Sequence, residues 1–430
     1  MSKKDTNEIL DENQQSLEET SNDSVSELPT EAIENFKYFE KGPKRPKQLK
    51  ESSDEHIYYH YELFTGWTDE EIEEANRKER EESEKALEQI KADGFIEFPI
   101  WFENVDGETV ERSAWIPPNF EPSCSEGFRE KYGMNYNIYI PSYERYDKAL
   151  TMKMLDRLGV KNYYIAVDPT QYEKYKAVFG PDKIIIRDIY FKDTDMLDMA
   201  TSIKSPNTMH GTAGIYNFLL SFSRSIGEEK YWTMDDDFLG MAMKAHKGSE
   251  IWNPSVKPYN KEDFYRCSNI KSEYGFSQAE FLCSMEDLSN KMRNPGFVGL
   301  EKFGIVFTLP VVWKLGTRVY SFYLSDNKTQ INHFGGNNND VVTSLELSKR
   351  GLVNMLFEGI SYNSEPTQGG GGLTTSYRRF GTLQKGKILV RAVPNFSKIS
   401  YNYSRIHHFV DYNGYNRQRI VGAVKPEEEK

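Results

Sequence analysis

From residue 137 onward, short apolar segments alternate with amphipathic segments at a regular spacing. The apolar segments are rich in β-branched and aromatic residues, as buried strands are, and the amphipathic ones have helical periodicity. Strands that alternate with helices are typical of an α/β domain, so the pattern predicts a mixed, mostly parallel, Rossmann-like sheet flanked by helices. The predicted strands are NIYIPSY, YYIAVDP, KIIIR and KYWTM, and the predicted helices are residues 148–158, 172–179 and 213–226.

Other segments extend this pattern in both directions. Downstream, residues 278–292 and 341–350 are predicted helices, and GIVFTLPVVWKLG and RVYSFYL are predicted strands. Upstream, a charged helix begins with a capping box of Thr68 and Glu71, and FIEFPIWF and ERSAWIPP form two strands around a turn at Asp106 and Gly107. The predicted organisation is a disordered acidic tail with a basic linker (1–50), a small accessory region (51–130), the α/β domain (131–421) and a charged tail (422–430).

The composition of the chain indicates a cellular compartment, and its charges are unevenly distributed along the sequence. No apolar run approaches the roughly 18–20 residues of a membrane span, and the N-terminus has no apolar signal core, so we expect a cytoplasmic protein without a membrane partner. Three distant cysteines predict neither a disulfide framework nor a cysteine metal site. The net charge is −12, yet residues 378–419 contain nine basic residues and one aspartate, whereas residues 1–34 contain ten acidic residues and two lysines.

Polar side chains follow each of the predicted strands. Ligands of open α/β sheets bind at the carboxyl ends of the strands, where Tyr143, Asp168, Arg187 and the triplet 235–237 are expected. Adjacent carboxylates suit a hard divalent cation, Mn²⁺ or Mg²⁺, which is commonly held by one or two carboxylates plus substrate phosphates. The alternative is an acidic turn that caps a following helix.

The order of the segments carries a family resemblance. IPSYER, YYIAVDP, HGTAGIYN and YWTMDDDF follow one another along residues 140–238, and in this order they resemble a glycosyltransferase of the GT-A fold. The resemblance spans about residues 135–410. More specifically, YWTMDDD and NNNDVVTSLELSKRG resemble the TET-associated glycosyltransferase family, whose members are found largely in phages and are linked to sugar decoration of hydroxymethylated pyrimidines in DNA.

The resemblance implies roles for the residues at the strand ends. Tyr143 and Arg145 would border the nucleotide, and Asp168 would contact the base or ribose. Asp235 and Asp237 would occupy the acidic positions of an Asp-x-Asp metal motif, although which two of the three aspartates bind the metal is left open. A third metal ligand is implied from a C-terminal histidine, His407 or His408, with His407 as the prediction. The predicted donor-binding residues are Pro141, Tyr143, Arg145, Asp168, Arg187, Gly211, Asp235 and Asp236.

Gly211 and Asp340 precede or begin predicted helices. The helix that follows Gly211 could direct its amide end at a phosphate. An acid at the position of Asp340 is the predicted catalytic base, which would remove the proton from an acceptor hydroxyl; the alternative is that Asp340 is an N-cap. The family pattern usually has two acids where this chain has Asn339 and Asp340. His333 is a further candidate for acceptor contact.

The C-terminal segment mixes cations with aromatic residues. Such a mixture suits the phosphates and unpaired bases of a DNA acceptor; it also suits a lid over the donor diphosphate, or a sheet edge with solvated charges. If the target base lies inside a duplex it must be flipped out, and the glycines at 369–372 could give a loop the freedom to admit it. The cations are Arg378, Arg379, Lys385, Lys387, Arg391, Lys398, Arg405, Arg417 and Arg419.

The sequence therefore predicts a metal-dependent glycosyltransferase. It would move a sugar from a nucleoside-diphosphate sugar to a hydroxyl acceptor, namely a 5-hydroxymethylpyrimidine in phage DNA. The alternatives are the same chemistry on a protein or polysaccharide, a nucleotidyltransferase, and a DNA-binding protein with a degenerate transferase domain. A nucleotidyltransferase favours a glycine-rich loop with Lys or Arg directly after the first strand, which IPSYER lacks.

Overall fold

The computed structural model describes residues 68–104, 107–188, 212–246, 264–267, 277–302, 313–365, 383–402 and 405–416. The predictions made for residues 1–50, 369–372 and 422–430, and that for Gly211, lie outside the described residues.

The described residues form fourteen strands, and the predicted apolar segments account for the first six and two later ones. They are β1 (Ile96–Glu103), β2 (Thr109–Ile116), β3 (Ile138–Pro141), β4 (Tyr163–Val167), β5 (Ile184–Arg187), β6 (Lys230–Met234), β7 (Phe238–His246), β8 (Phe264–Cys267), β9 (Pro295–Lys302), β10 (Trp313–Leu315), β11 (Phe322–Asp326), β12 (Val353–Ser364), β13 (Ser397–Asn402) and β14 (Arg405–Val410).

The helices include each of the predicted ones. The first begins at a capping box in which Thr68 and Glu71 bond reciprocally, as predicted. No helix in the described part of the chain is long and apolar enough to cross a membrane. The helices are α1 (Asp69–Ala92), α2 (Phe128–Tyr132), α3 (Leu150–Arg157), α4 (Tyr172–Phe179), α5 (Ala213–Ser225), α6 (Gln278–Lys291), α7 (Asn339–Lys349) and α8 (Leu383–Ala392).

One large sheet carries most of the strands. Its order is β1-β2-β5-β4-β3-β6-β11-β9-β12-β7-β8, with β10 paired to β12. The central strands β5, β4, β3 and β6 run parallel, as do β9 and β12, while the other pairs are antiparallel. The predicted GT-A-like α/β class with a mixed sheet is confirmed. The pair β13 and β14 forms a separate hairpin.

The hairpin assigned to the accessory region joins this main sheet. Strand β2 pairs antiparallel with β5, so that Trp115 lies opposite Ile186. Phe95 and Trp115 pack in the same apolar cluster as Ile138 and Trp232 of the central strands. The hairpin therefore extends the edge of the sheet that begins at β5.

Two apolar clusters cover opposite faces of the central strands. Ile138 of β3 packs with α3 and α6, whereas the next residue, Tyr139, packs with α5. Successive side chains of a strand point to opposite faces, so residues buried on both faces produce the continuous apolar runs seen in the sequence.

Strands β7, β8, β9, β12, β13 and β14 were not predicted. β9 and β12 carry the buried acids Glu301 and Glu358, which interrupt the apolar pattern of a strand. The predicted strand RVYSFYL begins only at Phe322, and ahead of it the Arg318 guanidinium lies 4.7 Å from the ring centre of Tyr320. Most of GIVFTLPVVWKLG lies outside the described residues, and its described end is β10.

Gly299 of β9 has no room for a side chain. A Cβ there would collide with the backbone oxygen of Phe322 and with the side chain of Val319. We expect Gly299→Ala to lower the free energy of unfolding by about 1–3 kcal/mol, because overpacking forces strand and neighbour apart. Gly240→Ala in β7 is the matched control, since no atom lies within 4 Å of its added Cβ. Denaturant unfolding measures both, and equal stabilities for the two variants would contradict the expectation.

Candidate active site

The carboxyl ends of the parallel central strands meet at one edge of the sheet, and the predicted polar residues lie along it. The chain leaves β3 at Pro141 and passes directly into the segment with Tyr143 and Arg145, Asp168 follows β4, and Arg187 ends β5. The acidic triplet follows β6. Four neighbouring strands thus bring residues from a span of almost one hundred positions to one place.

Asp236, the middle acid of the triplet, is occupied by contacts within the protein. The Arg145 guanidinium lies 2.6 Å from Asp236 Oδ1, and Ser142 Oγ donates to Asp236 Oδ2. Only 6% of Asp236 is exposed. Its carboxylate therefore ties the loop after β3 to the end of β6, which favours Asp235 and Asp237 as the two acids available to a ligand.

Asp235 and Asp237 lie on either side of Asp236 in the sequence and have contacts of their own. Tyr216 Oη donates to Asp235 Oδ1 at 2.6 Å, and Thr151 Oγ1 donates to the backbone oxygen of Asp235. Asp237 Oδ2 lies 3.6 Å from the Arg145 guanidinium. Burial raises the pKa of both carboxyls, and for Asp237 burial and the charges of the other two aspartates raise the pKa to about 7.

The charge balance of the triplet fits a divalent cation. Three carboxylates face the guanidinium of Arg145, and Lys302 adds a second positive charge that acts on Asp237. Three negative charges still exceed these two, and like charges this close repel unless a further cation neutralises them. Among the described residues no group of three or more His, Cys, Asp or Glu side chains is arranged to hold a metal ion unaided. Two carboxylates completed by substrate phosphates is the arrangement that Mg²⁺ commonly adopts.

The chain continues after the triplet as a strand. The amide of Phe238 donates to Thr151 Oγ1, and Phe238 begins β7 and is fully buried. The alternative that the triplet caps a following helix is therefore wrong. The physical reason is that residues 238–243 pair antiparallel with β12, with Met241 opposite Tyr362 and Met243 opposite Ile360, so a neighbouring strand and not a helical turn satisfies their backbone groups.

Strained backbone borders the site on two sides. Glu144 and Ala149, on either side of Arg145, have φ of 54° and 51°, and Asn338, just before α7, has φ of 57°. These are the non-glycine residues with positive φ in the described part of the chain. Such conformations are costly for residues with a Cβ, and they concentrate at functional sites.

Asp340 lies in the first turn of α7, close to the triplet. Asn338 is the N-cap of this helix, so the alternative that Asp340 is the N-cap is wrong. Asp340 Oδ1 accepts from the amide of Val341 at 2.8 Å. Burial raises the pKa of Asp340, while Lys385 and Arg318 oppose that change. The charge of Asp340 in turn raises the pKa of Asp235. Thr212 Oγ1, just before α5, donates to Asn339 Oδ1 at 2.6 Å, and Tyr216 of α5 donates to Asp235, so the start of α7 and the triplet both contact the start of α5.

A second corner of the site is formed by Asp168 and Arg187. Arg187 Nε lies 2.7 Å from Asp168 Oδ1, and both side chains are almost buried. The charge of Asp168 also acts on Tyr143. Burial is the main cause that raises the pKa of the Tyr143 hydroxyl, and the charges of Glu144 and Asp168 add to that rise. The structure thus brings together three of the predicted donor-binding residues, whose contact with a nucleotide stays a prediction.

The histidines occupy different positions. His408 Nδ1 lies 3.3 Å from Asn338 Nδ2, two residues before Asp340, and burial and nearby cations lower its pKa to about 3. His407 is its neighbour in β14, and successive side chains of a strand point to opposite faces. The metal role of His407 stays a prediction. His333 is fully buried and stacks on Tyr216, with ring centres 5.1 Å apart.

Arg318 and Tyr216 are site residues that sequence reasoning did not single out. Arg318 fell inside a predicted strand, and Tyr216 inside a predicted helix, where an aromatic residue usually signals only packing. Their importance comes from residues that are distant in the sequence. The charge of Arg318 lowers the pKa of Asp340, and Tyr216 donates a hydrogen bond to Asp235.

A family model of TET-associated glycosyltransferases matches residues 136–372, which is more than half of the chain. The chain belongs to the TET-associated glycosyltransferase family. Comparison with curated proteins found no match. The match contains the triplet and Asp340 of this glycosyltransferase, whereas α8, β13 and β14 lie beyond it. Of these outer elements, α8 supplies Lys385, whose charge lowers the pKa of Asp340, and β14 supplies His408, whose Nδ1 lies 3.3 Å from Asn338 Nδ2.

Proposed function

We propose that this glycosyltransferase moves a sugar from a nucleoside-diphosphate sugar to the hydroxyl of a 5-hydroxymethylpyrimidine in DNA, with the help of Mn²⁺ or Mg²⁺. The observation that carries the proposal is the acidic triplet at the carboxyl end of β6, where the Arg145 guanidinium lies against Asp236 and Asp237 and the charge of Asp340 reaches Asp235. The family match favours this chemistry over nucleotidyl transfer.

The donor half of the reaction uses the edge formed by β3, β4, β5 and β6. Asp235 and Asp237 would hold the cation, which when bound neutralises charge on the leaving diphosphate. Arg145 adds a fixed positive charge to the same place, since its guanidinium is held by Asp236. Asp168 and Arg187 would meet the nucleoside at the far corner, with Tyr143 beside them.

The acceptor half uses Asp340. Its raised pKa makes the carboxyl a better proton acceptor than an exposed aspartate. The carboxylate would take the proton from the acceptor hydroxyl as the oxygen attacks the anomeric carbon. The positive charges of Lys385 and Arg318 oppose this rise in the pKa of Asp340, because they favour its ionised form.

The segment around Asp340 favours a nucleic-acid acceptor. Lys385, Lys387 and Arg391 come from α8, and in the hairpin the Lys398 ammonium lies 5.1 Å from the ring centre of Phe409. Half of Phe409 is exposed, so its ring could stack on an unpaired base. These cations suit the phosphates of a DNA strand.

Incubation with labelled nucleotide sugars tests the acceptor. We expect transfer to hydroxymethylated DNA in the presence of Mn²⁺ or Mg²⁺, and none to unmodified DNA of the same sequence, because the latter lacks the accepting hydroxyl. The reaction is expected to weaken steeply with salt, as binding through phosphates does. Transfer to protein or polysaccharide but never to hydroxymethylated DNA would overturn the proposed acceptor, and no transfer from any donor would indicate a degenerate domain.

A further inference from the structure

Tyr216 joins the donor half of the site to its acceptor half. Its hydroxyl donates to Asp235 Oδ1 at 2.6 Å, and the charge of Asp340 also reaches it. The tyrosine is 5% exposed. It lies on helix α5, whereas Asp235 follows strand β6. Asp235 therefore receives a contact from a separate element that can set the direction of its carboxylate.

The ring of Tyr216 is held by a stack of aromatic residues. Its centre lies 5.1 Å from that of His333 and 6.3 Å from that of Tyr323. Phe297 lies on the other side of the same stack, 4.1 Å from Tyr323 and 5.7 Å from His333. Each of these residues is almost completely buried, so the ring has little freedom to rotate and the hydroxyl has a defined position.

Hydrogen bonds anchor this stack to the helix of Asp340. Asn217 Nδ2 donates to the backbone oxygen of His333, and the amide of His333 donates to Asn217 Oδ1. Thr212 Oγ1 donates to Asn339 Oδ1 at 2.6 Å. Helix α5 is thus bonded both to the segment that precedes α7 and to the first residue of α7.

We propose that Tyr216 is the positioning residue for the Asp235 carboxylate, and thereby for the divalent cation and the donor diphosphate. The inference rests on the proposed metal role of Asp235. Groups that hydrogen-bond to a metal ligand fix its orientation, and their loss typically lowers metal affinity by about 10–100-fold. Tyr216 acts through Asp235 and does not itself touch the reacting atoms.

The same stack contains a matched control. Tyr323 is as deeply buried as Tyr216 and stacks on the same His333, but within the described residues its hydroxyl interacts with Thr233 and makes no hydrogen bond to Asp235. Tyr216→Phe and Tyr323→Phe each remove one buried oxygen and keep the rings in place. The two variants differ because only Tyr216→Phe removes a hydrogen bond to Asp235.

Titration of the full chain with Mn²⁺, in the presence of a nucleoside diphosphate and followed by electron paramagnetic resonance, tests the inference. We expect Tyr216→Phe to raise the Kd for Mn²⁺ about 10-fold and Tyr323→Phe to change it less than twofold. Excess Mn²⁺ should restore most of the kcat of Tyr216→Phe, because the ligand set itself is intact. A purely structural loss would not be rescued by metal.

Thermal melting provides a second measurement. If Tyr216→Phe is less stable than expected, the rise in its Tm on adding Mn²⁺ still reports metal binding by the folded fraction, and this rise should be smaller than in Tyr323→Phe. Equal Mn²⁺ affinities in the two variants, with a wild-type protein that binds Mn²⁺, would overturn the positioning role alone. A wild-type protein that does not bind Mn²⁺ would overturn the proposed metal site and this inference together.

Discussion

Replacement of both Asp235 and Asp237 by alanine is expected to abolish metal-dependent binding of the nucleotide sugar. The two carboxylates are the acids of the triplet that Arg145 and Ser142 leave available, since Asp236 is occupied by both. Without them the triplet keeps only Asp236, which Arg145 and Ser142 occupy, so the site loses the two carboxylates that would hold the cation. We expect the donor affinity to fall by about 100-fold or more, beyond the loss typical of outer-shell groups.

Calorimetry with a UDP- or GDP-sugar, with and without Mn²⁺ or Mg²⁺, measures this effect. Asp182→Ala is the control, because Asp182 is an exposed acid in the turn that precedes β5 and lies at the opposite end of that strand from Arg187. Donor binding by the wild-type protein that is equally tight in a metal chelator would remove the metal role. Binding that survives the double replacement would show that other residues hold the cation.

Replacement of Asp340 by asparagine is expected to separate binding from transfer. Asparagine keeps the shape of the side chain and an oxygen that can accept from the amide of Val341, as Asp340 Oδ1 does. It cannot accept the proton of the attacking hydroxyl. We expect turnover to fall by about 10²–10⁴-fold, the usual contribution of a general base, while the Kd for the donor changes little.

Single-turnover transfer and donor calorimetry on the same preparation measure the two halves of this prediction. Asp411→Asn is the matched control, because Asp411 Oδ1 also accepts from a backbone amide, that of Gly414, while Asp411 lies after β14 and outside α7. It should retain near-wild-type turnover. If Asp340→Asn transferred sugar at the wild-type rate, Asp340 would not be the base, and a retaining mechanism without such a base would gain support.

Local patterns were sufficient for the central part of the fold. The strands β3, β4, β5 and β6 are buried on both faces, so their residues form continuous apolar runs that are visible without a structure. The helices between them, α3, α4 and α5, keep helical periodicity, and the capping box of α1 is a local signal of four residues. The strands with buried acids, β9 and β12, escaped the same approach because Glu301 and Glu358 are stabilised by distant partners.

Two features of the site could be predicted from the sequence: an acidic triplet follows a buried strand of an α/β sheet, and an acid lies at the start of a later helix. Both conclusions depend on residues close together in the chain. The contacts of Arg145 and Ser142 with Asp236, the hydrogen bond from Tyr216 to Asp235 and the effect of the Asp340 charge on Asp235 depend on the tertiary structure. These contacts join residues dozens of positions apart, and the pairing and packing of the sheet, which no local pattern encodes, bring them together.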